Sequence, residues 1–343
     1  MRIAVFGAGG FVGGWVCEEL LQRNDIEPVA CVRKWASAVR VARRGIQIRQ
    51  IDLEDTKALP SLLAGVDVVV NAAMLPPLRE PELVTALFSA SADAGVRRFI
   101  QLSSAAVYGN RTGGVDETMD PAPLNDYSRG KTAMEANLTR AAGKSDTQVL
   151  ILRPSIIYGP FSSAWTVRYV DRIVNGRWRS LGRLGEGTCN LVHGQDLADA
   201  VIRGATADIP PGTHILNING PEAVTWNEYI GRIGDALELS DRVTPNAILF
   251  RGMAITAEIM RKGAKLTLVR SAYRRSVGAT RTTMRSAQAT TKLYPPLIEL
   301  NLLKRKVHYS ADKAARILGW TPSISLEAGL RQSVAWCRVH GVV

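Results

Sequence analysis

Cysteine is scarce in this sequence, and what there is lies scattered. Cys17, Cys31, Cys189 and Cys337 form no Cys-x-x-Cys pair, which argues against a zinc site and against a disulfide framework. Four buried, reduced thiols are expected. No apolar run reaches the roughly 18 residues that a membrane-spanning helix needs. No signal peptide is expected either, because Met1-Arg2-Ile3-Ala4-Val5-Phe6 turns into glycines too soon. A cytoplasmic protein is therefore the expectation. Acid is nearly missing from one stretch. Between Arg251 and Lys306 stand 13 lysines and arginines against Glu258 and Glu299, so this segment carries +11 of the formal +12. It lacks aromatic interleaving and any nucleic-acid motif, so nucleic acid is not an expected partner.

What remains is a near-neutral chain of globular composition. With 343 residues, 46% apolar and 22% charged, it suits one large domain or two intimate ones. A chain of this length buries a full core without staples. The first half alternates short apolar runs with longer amphipathic ones. Strands are expected at Arg2–Phe6, Pro28–Val32, Ile46–Ile51, Val66–Asn71, Arg98–Ser103 and Gln148–Arg153. Helices are expected at Phe11–Arg23, Pro81–Ala94 and Asp126–Ala142. That alternation predicts an α/β fold with a doubly wound parallel sheet, its strands apolar on both faces. Beyond Pro154 the alternation loosens. Leu191–His193 and His214–Ile218 read as strands. Gln195–Ala205, Trp226–Leu237, Ala247–Lys262 and Leu326–Arg338 read as helices. The expected division is a dinucleotide-binding domain at 1–160 and a smaller, mainly helical substrate-binding part at 161–343, with 190–218 returning to the first domain.

The first strand runs straight into Gly7-Ala8-Gly9-Gly10-Phe11-Val12-Gly13 and then a helix. Glycines there permit a tight turn, close approach to a pyrophosphate and close helix–strand packing, while the helix N-terminus offers free N–H groups. Tyr127 and Lys131 are four apart on an expected helix and so share a face. An ammonium beside a phenol stabilises the phenolate and brings a proton carrier nearer working pH. Ser104 ends the fifth strand, at the edge where open α/β sheets bind ligands. After the second strand, where an NAD site commonly has Asp or Glu, the chain has Arg33 and Lys34, which suit the 2′-phosphate of NADP.

These motifs, in this order, resemble the extended short-chain dehydrogenase/reductase family of epimerases, dehydratases and reductases. The resemblance rests on Gly7-x-x-Gly10-x-x-Gly13, Asp52-Leu53, Asn71-Ala72-Ala73, Ser103-Ser104-Ala105-Ala106-Val107-Tyr108-Gly109 and Tyr127-Ser128-Arg129-Gly130-Lys131. It continues in Leu152–Pro160, Leu191–Asp196 and Leu318-Gly319-Trp320-Thr321-Pro322, and is weakest over 241–306. It implies Tyr127 as acid/base, Lys131 as its tuner and ribose ligand, and Ser104 as the group that orients substrate. It implies cofactor contacts at Gly7, Gly10, Phe11, Val12, Gly13, Asp52, Leu53, Ala72, Ala73, Pro154 and Ile157, and substrate contacts at Met74, Ala105 and Ile156. NADP is the expected cofactor, with NAD as the alternative; no metal is expected, and a homodimer is implied.

Departures from the family pattern narrow the reaction. The 4,6-dehydratases place Asp-Glu where this chain has Ala105-Ala106. Many sugar-nucleotide enzymes have Asn at the position of Ile156 and Arg at that of Cys189. Reversible alcohol/carbonyl redox on a sugar-like or alicyclic substrate is therefore expected. Epimerisation of a nucleotide sugar is the runner-up, and non-catalytic NADPH binding the third reading. His193, Asp196, Asp116 and Glu117 are expected to be structural or solvated. The basic segment has three readings besides nucleic acid: a helical cap over the substrate with cations in water, contact of 247–306 with an anionic membrane, or binding of an acidic soluble substrate.

Overall fold

The computed structural model describes residues 1–263 and 291–343. Its main sheet is built from β1 (Arg2–Phe6), β2 (Glu27–Val32), β3 (Gln47–Gln50), β4 (Val68–Asn71), β5 (Arg98–Leu102), β7 (Gln148–Pro154) and β10 (Thr213–Ile218). Shorter strands are β6 (Gly113–Val115), β8 (Ile156–Tyr158) and β9 (Thr188–His193). The seven strands are parallel and lie in the order β3-β2-β1-β4-β5-β7-β10. Order reverses between β1 and β4, and ligands of open α/β sheets settle at such a switch point. This is the doubly wound sheet that the strand–helix alternation predicts. The connecting helices are α1 (Phe11–Leu20), α2 (Val39–Ala42), α3 (Leu59–Leu63), α4 (Glu80–Asp93), α5 (Asp126–Ala142) and α7 (Gly194–Thr206).

Side chains along each strand alternate between two apolar layers, as a period of two requires. Ile3, Val5, Val68, Val70, Ile100 and Leu102 share one layer with residues of α1 and α7. Ala4, Phe6, Val69, Phe99, Val149 and Ile151 share the other with residues of α4 and α5. Helices on both faces explain why these strands read as unbroken Val/Ile runs.

The chain divides into two compact units. The first comprises 1–158, 190–221 and 308–325; the second comprises 159–189, 222–307 and 326–343. The second unit contains α6 (Arg168–Gly176), α8 (Trp226–Ala236), α9 (Ala247–Gly263) and the helices Leu297–Lys304 and Leu326–Val339. Tyr169 and Trp226 stack within a buried aromatic cluster there. Buried Arg172 pairs with Glu299 at 2.6 Å, and the Tyr169 hydroxyl donates to the same carboxylate. Of the basic stretch, 264–290 lie outside the described residues, and with them Lys265, Arg270, Arg274, Arg275, Arg281 and Arg285. Among the described residues no helix is long and apolar enough to cross a membrane.

Local departures from the sequence reading have physical causes. α1 stops at Leu20 rather than Arg23, because the chain must turn back to place Glu27 N–H on Met1 O at 2.9 Å. Asp196 supports the start of α7: it accepts hydrogen bonds from the Ser323 amide and hydroxyl and the Ile324 amide, tying the 320s to the helix start. The cap is His193, whose Nδ1 accepts from Gln195 N–H. Glu117 is not merely solvated, since it accepts from the Asn217 amide at 2.7 Å. All four cysteines are free and buried, and burial pushes the Cys17 and Cys31 thiols up to about 12.

His193 is 1% exposed between the rings of Trp15 and Tyr158. Burial holds its imidazole down to about 4, against an ordinary value of 6.5. The unfolded chain therefore binds the proton first, and the stability His193 contributes above pH 6.5 is lost as pH falls towards 4. Urea denaturation should show about 2 kcal/mol less stability at pH 5 than at pH 7 from this group. The variant His193→Gln should lack that part of the pH dependence; an unchanged dependence would contradict the assignment.

Candidate active site

The glycine loop is shaped by contacts that leave no room for side chains. Gly7 has φ +78, and a Cβ there would lie 2.6 Å from Ala73 N and 2.7 Å from the Ala72 carbonyl. A Cβ on Gly13 would lie 2.3 Å from Gly7 O, and one on Gly9 would lie 2.4 Å from Ser37 O. Glycine thus lets the loop after β1 touch the loops after β4 and β2. Gly10 precedes α1 in extended conformation, with its N–H on Gly7 O. The amides of Phe11, Val12 and Gly13, in the first turn, have no intrahelical acceptor and point along the positive helix end. This cradle fits a pyrophosphate.

Arg33 and Lys34 follow β2 and are both exposed. Among the described residues neither side chain makes an ion pair or hydrogen bond. The Lys34 carbonyl accepts from the Ser37 amide and hydroxyl, which fixes the turn that presents them. Asp52 is exposed and Leu53 buried just beyond β3. Ala72, Ala73 and exposed Met74 follow β4, where Asn71 Oδ1 accepts the Ala73 amide at 3.2 Å. Ser104 and buried Ala105 follow β5; Pro154 ends β7, with Ile156 and Ile157 on β8. Because the strands are parallel, every one of these positions falls on the same, C-terminal edge of the sheet.

The helix that carries Tyr127 and Lys131 starts at a capping box. Asn125 Oδ1 accepts from Ser128 N–H at 2.9 Å, and Ser128 Oγ accepts from Asn125 N–H at 3.1 Å. Tyr127 is therefore in the first turn of α5, at the positive end of its dipole, which favours an anion. One turn on, Lys131 Nζ sits 5.9 Å from the Tyr127 ring centroid. Nζ donates to the Leu102 carbonyl at 3.0 Å, two residues before Ser104, and to Glu80 Oε1 at 2.7 Å. Gly130 lets the helix approach the loop after β4, since a Cβ there would lie 2.5 Å from Pro77 O. Ser104 Oγ accepts from Ala106 N–H at 3.1 Å and caps a short helical turn.

Residues that sequence reasoning missed surround this pair. Glu135, a further turn along α5, accepts from the Ser103 hydroxyl and pairs with Arg153 of β7 at 2.6 Å. Arg153 donates to the Tyr108 hydroxyl, which donates to Asn217 Oδ1, each at 2.8 Å. Burial pushes the Tyr108 phenol up, keeping it protonated for that bond. The spacing Tyr127, Lys131, Glu135 places Glu135 on the same face and was the available signal. Glu80, 51 residues from Lys131, carries no such signal.

A parallel sheet with a glycine cradle at its switch point and a Tyr/Lys helix at the same edge defines a dinucleotide-dependent enzyme. Residues 3–218 match the NAD dependent epimerase/dehydratase family, and the chain belongs to it. It is an NAD(P)-dependent enzyme of the extended short-chain dehydrogenase type. The 4-hydroxy-2-methyl-3-oxo-4-farnesyl-3,4-dihydroquinoline-1-oxide ketoreductase of Stigmatella aurantiaca is 27% identical, over 96% of this chain and 95% of its own. The UDP-glucose 4-epimerase of Vibrio cholerae is 29% identical over 58% of this chain and 65% of its own. The UDP-glucuronic acid 4-epimerase of Bacillus cereus, solved in complex with NAD, shares the fold. Its TM-score is 0.75 at 17% identity, covering 99% of both chains.

Proposed function

We propose that this protein is an NADP-preferring oxidoreductase acting on a secondary alcohol or ketone, sugar-like or alicyclic. The carrying observation is the face of α5 on which Tyr127 stands over Lys131, with Lys131 tied to the strand end that bears Ser104. A bound nicotinamide supplies the hydride chemistry. Tyr127 gives its phenolic proton to the carbonyl oxygen in reduction and takes it back in oxidation. Lys131 has three N–H groups, two of them engaged, and the third is left for the cofactor ribose. Ser104 orients the substrate oxygen. Gly7, Gly10, Phe11, Val12 and Gly13 hold the pyrophosphate. Arg33 and Lys34 hold the 2′-phosphate, and Asp52 and Leu53 the adenosine. Ala72, Ala73, Pro154 and Ile157 line the cofactor, and Met74, Ala105 and Ile156 the substrate.

Likeness along nearly the whole chain to a ketoreductase supports net redox. So do apolar Ile156 and fully buried Cys189, since neither side chain suits a nucleotide diphosphate. Epimerisation of a nucleotide sugar is the alternative, favoured by the similarity to a UDP-glucose 4-epimerase. Stoichiometric loss of NADPH absorbance separates the two, because an epimerase regenerates its cofactor each turnover.

Partner contacts are the second part of the proposal. A homodimer follows from the family resemblance. Contact with an anionic membrane is favoured by α9. Phe250, Ala254 and Ala257 are buried on one face, while Ile248 (81% exposed), Leu249 (71%), Ile255 and Ile259 (67%) lie on the other. Arg251 and Lys262 lie along one edge of that outward face, at about 300° and 320° on a wheel of 100° per residue starting from Ile248. An apolar face edged by cations, followed by further cations in sequence, is suited to an anionic interface.

Assayed on a panel of alicyclic and sugar-like ketones, Tyr127→Phe should lower kcat by about 10²–10⁴-fold. NADPH binding should stay largely intact, and near-native turnover refutes the role of Tyr127. Arg33→Ala should weaken NADPH about tenfold to a hundredfold while sparing NADH; equal loss for both cofactors contradicts the NADP assignment. In co-sedimentation at low salt, the protein should pellet with phosphatidylglycerol vesicles, less so with added salt, and not with neutral vesicles. Protein left in the supernatant with anionic vesicles favours the cap reading of this segment.

A further inference from the structure

The ammonium of Lys131 is not alone. Glu80, the first residue of α4, places Oε1 2.7 Å from Nζ, and the two side chains are 2% and 6% exposed. Burying two charges is costly, and such a pair is a weak source of net stability. Here it stands one helical turn from Tyr127, on the ligand-binding edge of the sheet, which is where a field is put to use. Paired with the Glu80 carboxylate, Lys131 presents Tyr127 with a dipole rather than a full positive charge.

We propose that Glu80 is a positioning residue for the reaction: it fixes the Lys131 ammonium in place, leaves one N–H for the cofactor ribose, and moderates the field that Lys131 exerts on Tyr127. The inference rests on the role proposed above for Tyr127. Other charges around the pair are themselves paired. On α5, Asp126 binds Arg129 at 2.7 Å, and Glu135 is held by Arg153 of β7. Beside α4, exposed Arg79 lies 3.2 Å from Glu82 and 3.8 Å from Glu54. From β5 the Lys131 ammonium meets only the neutral Leu102 carbonyl. Removing the Glu80 charge therefore leaves the ammonium uncompensated beside the phenol.

The test reads the phenol directly. Full-length protein labelled with 13C at tyrosine Cζ is titrated by NMR, and the Tyr127 resonance is assigned from its loss in Tyr127→Phe. Glu80→Gln keeps the shape and an acceptor for Nζ but removes the charge. It is expected to move the Tyr127 midpoint to lower pH, by about one pH unit. Glu80→Asp, with the charge drawn back by one methylene, is expected to move it the same way by less, and carries the test by itself if the Gln variant does not fold. A midpoint that stays in place or rises overturns the proposal. Turnover by Tyr127→Phe is a separate readout: if that variant stays active, the proposed mechanism fails while the titration still decides what Glu80 does to the phenol.

Discussion

The site hangs on the way α5 is fastened to the sheet by its buried charges. Two side chains on one face of this helix, Lys131 and Glu135, are charged and buried. A buried charge persists only with partners, and the partners sit on separate parts of the chain. Lys131 reaches α4 through Glu80 and β5 through the Leu102 carbonyl. Glu135 reaches β7 through Arg153 and the end of β5 through Ser103. Rotation or sliding of α5 would strand a charge in an apolar layer, so the register of the helix against the strand ends is specified. Tyr127, one turn nearer the helix start, inherits that register.

Close approach of backbone plays the corresponding part at the other side of the edge. The loops after β1, β2 and β4 meet at distances that exclude a Cβ on Gly7 or Gly9, and the start of α1 packs on Gly7 so closely that it excludes one on Gly13. Side chains are thus cleared from the place where the first amides of α1 are free to bind an anion. Arg33 and Lys34, by contrast, stand exposed with their turn fixed by Ser37, presenting charge without spending it on protein partners. Exclusion at one point and presentation at another together make an asymmetric cradle, suited to a ligand with anionic groups at two places.

Polar groups elsewhere in the first unit serve the same edge. The chain from Glu135 through Arg153 and Tyr108 to Asn217 ties β7 and β10 to the segment after Ser104. Glu117 joins it through the Asn217 amide. Hydrogen bonds of this kind, linked in a chain through the interior, rigidify what they connect. The segment that follows Ser104 is accordingly backed by side chains from two neighbouring strands, although it is a short turn.

How much of this was legible in the sequence follows from the range of each interaction. The strands and helices that were expected fall within a few residues of those formed because periodicity and capping are local: Asp126–Ala142 begins where Asn125 and Ser128, close in sequence, complete a capping box. Arg168–Gly176 and Leu297–Lys304 were not expected. The glycine cradle and the Tyr127/Lys131 face were legible for the same reason, since a loop and a helical spacing are defined by neighbours. Glu80, Arg153, Asn217 and the true partners of Asp196 and Glu117 were not, because each contact joins residues dozens apart whose distance is set by strand order. The return of 308–325 to the first unit belongs to the same class. Sequence alone determined which residues α5 and the glycine loop bring to this edge. Tertiary structure decided which charges face that chemistry, because desolvation demands a partner for every buried charge and only the packed sheet determines which ones are within reach.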